Sequence, residues 1–247
     1  MRTVICRREQ VFQGPLLLVN RAHPLRDRTP AQLVAADCRY PEVLLDRRAA
    51  ELLTACIQRV GGVREIVLVS GYRSQAEQQA IYDDTLAAEG EAFTSAYVAL
   101  PGCSEHQSGL AVDLGRAAEE IDFIRPDFPD DGVCGAFRRM AAQYGFVQRY
   151  RREKENLTGI AAEPWHFRYV GVPHSLLMEA NDLCMEEYAA FLRQGRQRCA
   201  LPGGQTAEVF YVPSTGEEMA LTLPDGCCQI SGDNAGGFIV TLWGCQP

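Results

Sequence analysis

Long apolar runs are missing from this chain. No stretch reaches the about 18 apolar residues that a membrane-spanning helix needs, and the longest early run is only Leu16-Leu17-Leu18-Val19. The opening, Met1-Arg2-Thr3-Val4-Ile5-Cys6-Arg7-Arg8-Glu9, lacks the apolar centre of a secretory signal. The expectation is a cytoplasmic protein with no membrane insertion. Positive charge is short as well: 24 Lys and Arg stand against 32 Asp and Glu, for a net charge of −8. Bulk attraction to nucleic acid or to an anionic membrane is thereby excluded. An anionic substrate would have to be met by a local basic group. The ten cysteines form no CxxC pair, and only Cys227 and Cys228 are adjacent. Without a signal they read as mostly reduced thiols. Repeats and low-complexity tracts are absent, and histidine is scarce, with four in 247 residues.

What is present reads as one large domain with a small addition. Residues 1–40 are punctuated by Pro15, Pro24 and Pro30 and are expected to be irregular, with one short strand over Leu16–Val19. Apolar positions from Leu44 to Val60 recur at helical spacing, and Gly61-Gly62 ends that helix. Ile66–Val69, rich in branched residues, reads as a buried strand. Ser74 with Glu77 three residues on forms a capping-box pattern that opens a helix to about Leu86. Ala111–Leu114 and Trp165–Val170 read as strands, and Phe137–Tyr144 as a helix stopped by Gly145. Further helices are expected near Ser175–Ala180 and Met185–Gln194. After Gly195 the texture changes. Pro202-Gly203-Gly204 reads as a linker, and short β-type runs follow at Val209–Val212, Ala220–Leu223, Gln229–Ser231 and Phe238–Trp243. The expected division is therefore 1–195 and 196–247.

Two of the four histidines lie in carboxylate-bearing motifs. The first is Ser104-Glu105-His106-Gln107-Ser108-Gly109-Leu110-Ala111-Val112-Asp113. The second is Glu163-Pro164-Trp165-His166. Zinc in catalytic sites takes three N and O ligands and leaves one position open, and His106, Asp113 and His166 supply such a set. Amide hydrolysis also needs a base to take a proton and return it to the leaving amine, and Glu163 lies three residues before His166. In an extended strand those two side chains would face opposite sides, so a bend at Pro164 is required. Arg73 sits in the turn Ser70-Gly71-Tyr72-Arg73-Ser74 after a buried strand, where binding groups are often presented. Its guanidinium could hold a carbonyl oxygen as it becomes negative, or a carboxylate. His23 and His174 have no such partners and read as structural or exposed.

These three motifs, at 70–74, 104–113 and 163–169, resemble the D-alanyl-D-alanine metallopeptidases. That family includes VanX dipeptidases, VanY carboxypeptidases and the bifunctional VanXY enzymes of glycopeptide (vancomycin) resistance. Similarity to the VanXY group of the VanG type extends over Leu16–Asp27, Ile121–Pro129, Tyr144–Tyr150, Phe210–Pro213 and Gln229–Gly232, so nearly the whole chain is covered. The resemblance implies an α+β fold in which a small antiparallel sheet carries zinc, flanked by helices, with a short β-rich C-terminal appendage. It implies His106, Asp113 and His166 as ligands, Glu163 as general base and Arg73 as oxyanion stabiliser. Gln78 and Ser104 would hold the ends of the substrate, and Trp165 and Tyr97 would line its pocket. The implied substrates are the D-Ala-D-Ala dipeptide and UDP-muramyl pentapeptide, met in the cytoplasm. Alternatives are an L,D-carboxypeptidase acting on muramyl tetrapeptides and a zinc-binding module without turnover. The C-terminal segment is expected to cap the domain or to make a homodimer contact.

Overall fold

The computed structural model describes residues 1–26 and 32–244. Asp27, Pro30 and Cys245, which entered the sequence reading, lie outside the described residues. In chain order the elements are β1 (Arg2–Arg7), β2 (Leu33–Asp37), β3 (Tyr40–Asp46), α1 (Arg47–Arg59), β4 (Ile66–Ser70), α2 (Gln75–Glu89), α3 (Glu91–Tyr97), β5 (Ala111–Arg116), α4 (Gly132–Ala141), β6 (Phe146–Tyr150), α5 (Glu155–Thr158), β7 (Glu163–Tyr169), α6 (His174–Ala180), α7 (Met185–Arg193), β8 (Gln197–Ala200), β9 (Thr206–Pro213), β10 (Glu218–Leu223), β11 (Cys228–Gly232) and β12 (Gly237–Trp243). The fold is α+β, with small antiparallel sheets and flanking helices. Among the described residues no helix is long and apolar enough to cross a membrane.

Two compact units emerge. One is Asn20–Cys184. The other joins Met1–Val19 to Met185–Pro247. This division differs from the expected one at 195/196, because β1 pairs with β10 from Arg2↔Leu223 to Arg7↔Glu218. Cutting the chain at 196 would leave β1 without its partner strand. In this second unit β8, β9, β12 and β11 form a four-stranded sheet, with Phe210, Leu223, Val240 and Leu242 in its apolar interior.

The larger unit is built on the antiparallel sheet β4-β5-β7-β6. Side chains alternate across a strand. Val112 and Leu114 of β5 and Phe167 and Tyr169 of β7 thus enter the apolar core with Leu53 of α1 and Phe137 of α4. The rings of Phe128, Phe137 and Phe167 meet edge to face at 5.0–5.9 Å. The intervening residues Asp113 and His166, directly opposite each other across β5 and β7, face the other way. The period-2 rhythm thus places the chemistry on one face of the sheet and the core on the other.

Several expectations need correction. Residues 1–40 hold β1 and β2, and Leu16–Val19 is a buried but irregular segment. The helix expected from Leu44 begins at Arg47, because Leu44 and Leu45 pair with Ala35 and Val34 of β2. Asp46 ends that pairing and caps α1, accepting from the backbone N–H groups of Arg48 and Ala49. Pro202–Gly204 is a tight turn between the paired strands β8 and β9 and not a linker. The Ser74–Glu77 capping box forms as expected. Gly145 stops the stretch after α4 at φ 86°, a left-handed conformation that favours glycine. Cys6, Cys56, Cys134 and Cys199 are buried free thiols, and Cys184 is buried as well.

Candidate metal centre

His106 stands in a short 3-10 turn, Glu105–Ser108, closed by Gly109 at φ 71°. Its Nδ1 lies 2.7 Å from the Gly71 carbonyl. A carbonyl only accepts, so Nδ1 carries the hydrogen and Nε2 keeps its lone pair. That Nε2 is buried, makes no hydrogen bond and stands 3.1 Å from Asp113 Oδ2. His166 reaches the same carboxylate from β7, with Nδ1 2.9 Å from Oδ1. One nitrogen of each ring and one carboxylate oxygen lie within 4.8 Å of one another. Ligands at about 2.0–2.1 Å in a tetrahedral array stand roughly 3.4 Å apart, close to the spacings found. Two imidazoles, one carboxylate and an orphaned buried nitrogen therefore fit a divalent cation.

Glu163 joins this group through an irregularity in β7. Pairing with β6 runs Gln148↔Phe167 and then Tyr150↔Glu163. Three residues, Pro164 to His166, thus stand opposite Arg149 alone. Regular alternation is lost across these residues, and Glu163 stands on the His166 side, with Oε2 3.7 Å from Nδ1. The bend anticipated from Pro164 is this bulge. Arg138 of α4 supports it by donating to the carbonyls of Pro164, at 3.0 Å, and Phe128, at 2.9 Å.

Arg73 lies across the site, its NH2 3.7 Å from Asp113 Oδ2, and its buried Nε has no hydrogen-bond partner. These groups open into a cleft of about 530 Å³, counted with the solvent at its mouth, which Gln78, Tyr97, Ser104 and Trp165 also line. Gln78 is 1 % exposed. Its Nε2 donates to the Ala99 carbonyl at 2.8 Å, while its buried Oε1 is left without a hydrogen bond. All nine residues singled out from the sequence thus line one cleft. His174 is buried elsewhere, its basicity lowered by burial, and His23 pairs with Asn20.

Burial and charge divide the protons of the metal-free centre. Burial would raise the Asp113 carboxyl, but His106 and His166 outweigh it and hold it well below the usual range. Burial, helped by Arg73, brings His106 down to about 4, so it is neutral. Burial also works against the charge on His166, yet its contacts with Asp113 and Glu105 raise it to about 9. Glu163 is pushed up to about 8 by burial, with Asp113 adding to the effect.

Sequence reasoning gave no role to Glu105, Arg149 and Arg168, which are nearly inaccessible. Glu105 Oε1 meets Arg149 Nε at 2.8 Å and Arg168 NH1 at 3.0 Å. A glutamate in a turn normally reads as a surface residue. The available signal was parity: Arg168 follows His166 by two on a buried strand and so shares its face.

Gly71 makes the centre sensitive to a small change. A Cβ there would lie 2.4 Å from the Leu44 carbonyl oxygen, a backbone atom, and 2.9 Å from Val43 Cγ1. Gly71→Ala must shift the carbonyl that anchors His106. Second-layer partners of this kind are worth about 10–100-fold in metal affinity, and a loss in that range is expected in chelator competition.

Comparison with known proteins identifies the family. The VanY family, D-alanyl-D-alanine carboxypeptidase, matches residues 43–172. The bifunctional D-Ala-D-Ala dipeptidase and D-Ala-D-Ala carboxypeptidase VanXYC of Enterococcus gallinarum is 41 % identical over 181 residues, which is 72 % of this chain and 95 % of that protein. The crystal structure of the vancomycin resistance D,D-dipeptidase VanXYg, in complex with a D-Ala-D-Ala phosphinate analog, superposes with a TM-score of 0.95 at 48 % identity, covering 98 % of both chains. A mutant of the D,D-pentapeptidase VanY from the VanB-type resistance cassette, in complex with Zn(II), shares 29 % identity over 70 % of this chain and 98 % of that one, with a TM-score of 0.58. The chain belongs to the VanY family of D-alanyl-D-alanine peptidases.

Proposed function

We propose that this chain is a zinc-dependent D,D-peptidase. It would hydrolyse the D-Ala-D-Ala dipeptide, the terminal D-Ala of UDP-muramyl pentapeptide, or both, in the cytoplasm and in glycopeptide resistance. One observation carries the reading: His106, Asp113 and His166 share a centre that faces a buried carboxylate, Glu163, and a guanidinium, Arg73, in one cleft. The relatives' activities and the Zn(II) complex support it.

His106, Asp113 and His166 would hold the zinc. When bound, zinc supplies Lewis acidity, polarising an amide carbonyl and making water ionisable near neutral pH. Glu163 would take the proton from the attacking water and return it to the leaving amine, since its carboxylate lies beside the centre in a dry wall that raises its basicity. Arg73 would donate to the carbonyl oxygen as it gains negative charge. The Ala99 contact fixes the Gln78 amide, so Oε1 is available to accept from a substrate N–H. Ser104 would take the other end, and Tyr97 and Trp165 would close round the D-alanyl methyl groups. Catalysis belongs on this reading to the unit Asn20–Cys184.

Mass spectrometry of products from D-Ala-D-Ala, a muramyl pentapeptide and a muramyl tetrapeptide tests the proposal. Loss of D-Ala from the first two is expected. Cleavage of the tetrapeptide alone would reassign the chain as an L,D-carboxypeptidase, and zinc binding without cleavage of any of the three would make it a binding module.

A further inference from the structure

Each imidazole of the centre has a second nitrogen. That of His106 is held by the Gly71 carbonyl. That of His166 points away from Asp113 towards Glu105, with Nε2 3.5 Å from Oε2. Both atoms are buried, and neither makes a hydrogen bond elsewhere. A buried donor and a buried acceptor left unsatisfied are each costly, and here they face one another. The carboxylate is not free to turn away, because its other oxygen is gripped by the Arg149 and Arg168 guanidiniums at 2.8 and 3.0 Å. The connectivity is tight as well. Glu105 precedes His106, and Arg168 lies two residues after His166 on the same face of β7. A displacement of Glu105 would be felt at both histidines.

We infer that Glu105 is a positioning residue for the metal centre: its Oε2 accepts a hydrogen bond from His166 Nε2–H, which fixes the tautomer that leaves the Nδ1 lone pair for the cation. This rests on the proposed zinc reading and adds to it a residue that is neither a ligand nor the base. The neutral imidazole has one hydrogen. With Nε2 carrying it, Nδ1 is the nitrogen left to the cation once the ring has given up its other proton. Glu105 also adds negative charge behind the ring, which makes the ligating nitrogen a better donor.

The test uses the full chain. Glu105→Gln keeps the shape but removes the charge, and its amide N–H₂ would compete for the space beside the guanidiniums. Zinc affinity, read by chelator competition, is expected to fall about 10–100-fold, with turnover at saturating zinc reduced far less. In the zinc-loaded wild-type chain, nitrogen-15 NMR of the imidazoles is expected to show His166 protonated at Nε2 and metal-bound through Nδ1. This second measurement needs no variant and stands even if the variant folds poorly. Unchanged zinc affinity in Glu105→Gln, or metal bound through His166 Nε2, would overturn the inference while leaving the zinc reading intact. A wild-type chain that binds no zinc would overturn both.

Discussion

Glu163→Gln is expected to lose about 10²–10⁴-fold in kcat while keeping one zinc per chain. The variant removes a proton acceptor without removing a ligand, since Glu163 Oε2 stands 3.7 Å from His166 Nδ1, outside the cluster formed by His106, Asp113 and His166. Its volume is unchanged, so the dry wall that surrounds it is preserved. The carboxylate is basic because burial disfavours its charge, and an amide in the same position cannot accept the proton at any accessible pH. Metal analysis and steady-state kinetics on one preparation separate the two roles. Loss of zinc together with activity would make Glu163 a ligand. Full activity would remove it from the mechanism.

The site was easier to read from the sequence than the fold around it. Metal-binding chemistry draws on a short list of side chains. Four histidines in 247 residues, two of them beside carboxylates, leave few combinations. The core strands β4, β5 and β7 were also legible, because they are buried and their apolar residues are branched or alternate. The edges of the fold were not. β1 is formed by Arg2-Thr3-Val4-Ile5-Cys6-Arg7, four of its six residues exposed, and its partner β10 begins more than two hundred residues later. No local pattern encodes that pairing, so the N-terminal segment read as irregular and the unit boundary was placed at a composition change instead. The helix expected from Leu44 shows a related ambiguity. Leu44 and Leu45 fit the helical period, but pairing with β2 and the Asp46 cap decide where the helix starts.

Glu105 was missed for a different reason. Its sequence context is that of a polar turn, and its burial arises from Arg149 and Arg168, which come from β6 and β7 and become neighbours only in the folded chain. The bulge in β7 lies between these extremes. Pro164 signalled that the strand could not be regular, and the demand that Glu163 and His166 share a face gave the direction of the bend. The size of the irregularity, three residues against one, is set by the pairing with β6.

Asp113→Asn is expected to cost more in metal affinity than any outer residue, at least about 100-fold, given that second-layer partners alone are worth 10–100-fold. Asp113 touches both imidazoles and is the only carboxylate in the cluster. Activity should fall with the metal, in contrast to Glu163→Gln, and be partly restored by high zinc. Chelation of the wild-type chain should reproduce the loss, and added zinc should reverse it. The same centre dictates the pH dependence. Without metal, His166 is raised to about 9, so at neutral pH its proton occupies the nitrogen that faces Asp113 and must leave when the cation binds. His106, at about 4, is already neutral. Zinc affinity should therefore rise with pH up to about 9 and weaken progressively below it. Calorimetry in buffers of different ionisation enthalpy should register proton release at pH 7, and a pH-independent affinity between about pH 6 and pH 9 would show that His166 gives up no proton to the cation.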